Sequence, residues 1–132
     1  MRNKYMLFVM TALLCLCLCS CIGDISDIKV DLGTSDLYSE KDLQDAADAI
    51  KKSFINFEGC TLHSLTYAGD IRSEKEAQWD NYTYDEYVVF DSSFHSPKKS
   101  SGAWTADTEY TWSWILARNK DAAWTLINYG YC

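Results

Sequence analysis

Apolar residues at Leu43, Ala47, Ile50, Phe54 and Phe57 recur at spacings of 4, 3, 4 and 3, the period of one helical face. Asp45, Asp48, Lys51 and Lys52 take the opposite side. Ser39 and Asp42 stand three residues apart just ahead of this run, in the order of a capping box, and Gly59 supplies the stop. A helix with a single apolar face needs a partner surface, and most of the chain beyond Gly59 reads as strand. Residues 60–68 carry Leu62, His63, Leu65 and Tyr67 among Thr and Ser, and Gly69-Asp70 signals a turn. A second capping box at Ser73–Glu76 opens a short helix through Trp79.

The last third is β. Residues 84–94 centre on Val88, Val89 and Phe90, and 96–102 is a loop by composition. Residues 108–118 alternate strictly, with Tyr110, Trp112, Trp114 and Leu116 on one face and Glu109, Thr111 and Ser113 on the other. Asn119–Asp121 turns the chain into a last strand over 122–131. The order α-β-α-β-β-β, led by a long amphipathic helix, predicts an α+β domain in which a curved antiparallel sheet wraps around that helix. At 132 residues, 48% hydrophobic and with one proline, the chain has the material for one domain and is no disordered linker. Its net charge of -7 argues against a nucleic-acid partner.

The start of the chain reads as an address. Arg2 and Lys4 precede an apolar run over residues 5–19. A helix of that length spans about 22 Å, short of the roughly 30 Å hydrocarbon core, so a secretory h-region fits better than a spanning helix. Leu18-Cys19-Ser20-Cys21 resembles a bacterial lipobox, with Cys21 as the lipidated residue. The domain plan is a lipoprotein signal peptide over 1–20, a lipidated Cys and tether over 21–38 whose end packs on the domain, and one domain over 39–132. The expected place is the outer face of a cell membrane, held by acyl chains. Loss of Arg2 and Lys4 leaves the rest two units more acidic, so the domain stands off anionic headgroups. Beyond Cys21 only Cys60 and Cys132 remain. In an exported chain they either form a disulfide, worth roughly 4 kcal/mol on the chain-entropy argument, or stay as two thiols.

The segments Tyr38–Asp42, Phe54–Phe57, Gly59–Leu62, Tyr67–Asp70, Val89–Phe94, Glu109–Trp114 and Trp124–Tyr131 together resemble a family of small Gram-positive (Firmicutes) lipoproteins of unknown function. That family is similar in fold to nuclear transport factor 2, the cone also called cystatin-like. The resemblance covers residues 38–131, and the terminal Trp-x-Leu-Ile-x-x-Gly-Tyr strand carries most of it. It implies a cone with a long N-terminal helix, a fold that hosts dehydratases, isomerases, immunity proteins and interaction modules alike.

Catalysis in such a cone would draw on His and Asp side chains, and the chain has only His63 and His95. His63 with Asp91 or Glu86 is the one hydrolase or isomerase arrangement on offer. No His-Glu-x-x-His, phosphate loop or nucleophile elbow occurs, and no spacing points to a metal or cofactor. The aromatic residues are the more unusual signal. Trp112, Trp114, Phe54, Phe90 and Tyr110 are the candidates for a concave pocket, with Trp112 and Trp114 set against Phe54 and Phe57. The reading is therefore a membrane-anchored extracellular module that binds a small ligand or a protein without catalysis, with a homodimer left open.

Overall fold

The computed structural model describes residues 22–99 and 103–131. Residues 1–20, read from the sequence as a signal peptide, lie outside the described residues, as do Cys21 and Cys132. The first strand forms ahead of the helix, where Ile28, Val30 and Leu32 alternate with Lys29 and Asp31 to give β1 (Lys29–Asp31). Next come α1 (Glu40–Phe54), β2 (Thr61–Tyr67), α2 (Asp70–Trp79), β3 (Glu86–His95), β4 (Glu109–Arg118) and β5 (Thr125–Gly130). The strands make one sheet in the order β1-β2-β3-β4-β5. β1 runs parallel to β2 because α1 carries the chain back as a crossover, and the other three pairings are antiparallel.

This overturns the expected cone, an antiparallel sheet wrapped around a long N-terminal helix. The sheet is mixed, the first helix begins mid-chain and has 15 residues, the second has 10, and the regular structure is mostly sheet. Helical spacing reports which side chains are buried, and burial continues here after the helix has ended. Phe57 keeps the 4-3 rhythm, yet it lies in a turn whose N–H bonds to the Phe54 carbonyl at 2.8 Å. Gly59, at φ +73, then swings the chain into β2, where a Cβ would come within 2.7 Å of the Pro97 ring.

The start of α1 is as the spacing predicts. Ser39 Oγ accepts from the Asp42 N–H at 3.1 Å, and the Asp42 carboxylate accepts from the Ser39 N–H at 3.2 Å. The start of α2 is not. The helix opens at Asp70 behind Gly69, placing Ser73 a turn inside and 1% exposed. Its hydroxyl donates to the Gly69 carbonyl at 3.1 Å and accepts from the Val89 N–H at 3.2 Å, so the residue ties α2 to β3 rather than capping it.

Strand alternation divides the core between two faces. Val88, Phe90 and Phe94 of β3 lie beside Leu116, Trp114 and Tyr110 of β4 on the α1 face, together with Leu62, Leu65 and Trp124. Leu43, Ala46, Ala47, Ile50 and Phe54 of α1 close over them. On the other face Tyr87 opposes Ala117 and packs on Ala77 of α2. In the segment read as a tether, the Gly23 N–H bonds to the Ile55 carbonyl at 2.8 Å and Asp24 bridges Thr61. Ile25, Ile28, Val30 and Leu32 rest on the main core.

Candidate functional site

β4 and β5 place aromatic side chains on the α1 face beyond the point where the helix stops. Alternation puts Tyr110 and Trp112 there from β4, and Tyr129 and Tyr131 from β5 and its exit. Phe57 enters from the turn after α1, and Trp104 from the β3–β4 connection. The rings touch in sequence. Trp104 lies 5.4 Å from each of Phe57, Tyr110 and Trp112, centroid to centroid, and Trp112 stacks on Tyr129 at 5.7 Å. Between them is an open cleft of about 600 Å³, with Asn56, Glu58 and Ala103 completing its wall. Tyr110 is held by the Thr105 N–H, which donates to its hydroxyl at 3.0 Å. Trp112 Nε1 is buried and has no hydrogen-bond partner among the described residues. A donor left in that state costs about 1–3 kcal/mol.

Of the five aromatics expected to line a pocket, Trp112 and Tyr110 do so. Trp114, Phe54 and Phe90 are fully buried in the core instead. Trp114 lies 5.4 Å from Phe57 and 6.4 Å from Phe54, the contact read from alternation, but with Tyr129 stacked on it at 5.3 Å it is fully buried. Its Nε1 donates to Ser92 Oγ at 2.8 Å, and that hydroxyl donates in turn to the Trp112 carbonyl at 3.1 Å. Trp104, Tyr129 and Tyr131 were legible only as part of an aromatic surplus. The i, i+2 pair Tyr129 and Tyr131 was the available signal, whereas Trp104 sits in a loop with no periodicity to read.

The polar candidates separate. The carboxylate beside His63 is Glu109, whose Oε2 is 3.7 Å from His63 Nε2. Asp91 accepts from the Ser113 hydroxyl, and Glu86 accepts from Arg118 Nε. Arg118 also donates to Asp42 at 3.0 Å and stacks over Trp124 at 4.1 Å, which fastens α1 to β3 and β4. The His63–Asp91 and His63–Glu86 arrangements are thus replaced by structural pairs. His95 meets two carboxylates at 2.8 Å each, Asp107 at Nε2 and Glu109 at Nδ1, and these bonds, Asp107 first, raise it above the usual imidazole value. Burial alone pushes the Cys60 thiol up to about 11. Cys60 is a free thiol among the described residues, and its proposed partner Cys132 lies outside them.

No protein-family model, curated protein or solved structure matches this chain. No helix among the described residues is long and apolar enough to cross a membrane.

Proposed function

We propose that the chain is a lipid-anchored, extracytoplasmic binding module whose aromatic cleft holds a small ligand with a flat or ring-shaped apolar face. The cleft carries this reading. Six aromatic rings wall about 600 Å³. Stacking surfaces at low conformational cost with a few polar atoms at the rim are the means by which small-molecule sites hold sugar-like rings. The resemblance to Gram-positive lipoproteins and the lipobox at Cys21 support the anchored placement.

The test is tryptophan fluorescence of the chain titrated with a panel of oligosaccharides and apolar small molecules. A saturable change is expected from at least one of them. Its affinity should fall at least tenfold in Trp104→Ala and in Tyr131→Ala, while His63→Ala leaves it unchanged. Saturable binding that survives both aromatic variants, or no response across the panel at millimolar concentration, overturns the reading.

A further inference from the structure

We propose that His63, His95 and Glu109 form a binding site for a divalent transition metal of the zinc class, on the sheet face opposite the aromatic cleft. The three residues lie on β2, β3 and β4. Register brings them together: His95 is directly opposite Glu109, and the bulge between Leu62 and Ser64 leaves His63 as the extra residue beside His95. Both histidines of the chain therefore meet one carboxylate. One ligand atom from each residue lies within 4.8 Å of the other two. Tetrahedral zinc with bonds near 2.0–2.1 Å sets its ligand atoms about 3.3 Å apart, so side-chain rotation alone closes the site.

A second observation points the same way. Asp107 Oδ1 lies 2.8 Å from His95 Nε2. A carboxylate that accepts a hydrogen bond from one imidazole N–H fixes the tautomer and leaves the other nitrogen to present its lone pair, the supporting arrangement that metal-binding histidines use. Asp107 is held there in the left-handed region, at φ +48, where few non-glycine residues sit. Its N–H bonds to the Pro97 carbonyl at 2.7 Å, which fixes that geometry. The side chains of His63, His95 and Glu109 are 47%, 35% and 50% exposed, so an aqueous ion reaches them and a fourth position stays with water. Two imidazoles and one carboxylate suit Zn²⁺ and its Co²⁺, Ni²⁺ and Cu²⁺ relatives. Ca²⁺ and Mg²⁺ demand more oxygen ligands.

The competing account makes His95 a cation bridging Asp107 and Glu109, with His63 a bystander. Untagged full-length chain with its accessible thiols alkylated, titrated with Zn²⁺ by calorimetry and with Co²⁺ by visible absorption, separates the two. The metal-site account expects one equivalent bound and the intense absorption of four-coordinate Co²⁺. Affinity should fall at least a hundredfold in His63→Ala and in Glu109→Gln, and roughly 10–100-fold in Asp107→Asn, which removes no ligand. His63 is half exposed, so His63→Ala leaves the core intact and isolates the question. Unchanged stoichiometry and affinity in His63→Ala, a thiolate-type Co²⁺ spectrum, or no binding at micromolar Zn²⁺ overturns the proposal.

Discussion

Ser92→Ala tests the polar contact at the centre of the main core. Ser92 is 3% exposed on an otherwise apolar face, in the series Val88, Phe90, Ser92 and Phe94. Its hydroxyl accepts the Trp114 indole N–H at 2.8 Å and donates to the Trp112 carbonyl at 3.1 Å. Alanine leaves Trp114 Nε1 as a buried donor without an acceptor, at a cost of about 1–3 kcal/mol, and removes a hydroxyl–carbonyl bond worth about 1 kcal/mol net. The expected loss is about 2–4 kcal/mol, or a melting shift of some 8–16 °C in a domain of this size. Because the cost comes from the stranded donor, it should shrink when the donor is removed as well. Denaturation of wild type, Ser92→Ala, Trp114→Phe and the double variant measures the coupling, expected above about 1 kcal/mol. A single-variant loss below about 0.5 kcal/mol, or additive costs in the cycle, would refute the assignment of Ser92 as the acceptor for Trp114.

Phe54 is fully buried against Phe57, Phe94 and Trp114, so Phe54→Ala should cost roughly 3–5 kcal/mol in urea denaturation, and a loss under about 1 kcal/mol would contradict that packing. Bonds from Ser39 and then Arg118 hold the Asp42 carboxyl below its usual range, and at Asp70 bonds from Ser35 and Tyr67 outweigh the upward push of burial. Depressed folded values stabilise the fold above the unfolded carboxylate pKa of about 3.9, so the urea midpoint should fall as pH drops below that value and fall less in Asp42→Asn. With its thiol raised to about 11, Cys60 should resist alkylation at neutral pH until the chain unfolds, and fast labelling of its peptide in native buffer would be the contrary result. Cys21→Ala should move the chain from the membrane fraction to the soluble one, and a variant that is still processed yet stays in membranes at high salt would remove the lipid anchor from the proposed function.

What was legible in the sequence is what depends on neighbours a few residues away. Ser39 and Asp42 cap α1 because both partners of the capping box lie within one turn, and β4 shows its alternation because the period is two. β1 is three residues long, too short for a pattern to outweigh Lys29 and Asp31, and only its parallel pairing with β2 makes the sheet mixed. Fold class therefore turned on a non-local pairing that no window around Val30 contains. The same limit separates the parts of the candidate sites. Trp112 and Trp114 are equivalent by alternation, yet the helix ends at Phe54, so Trp114 is sealed while Trp112 faces the cleft beyond it. A residue's depth along a strand is set by where the covering helix stops, and the unbroken spacing through Phe57 concealed that stop. His63 and His95 are farther still from a local reading. Their meeting at Glu109 requires the β3–β4 register and a one-residue bulge in β2, and either one shifted by a single residue sends an imidazole to the opposite face of the sheet.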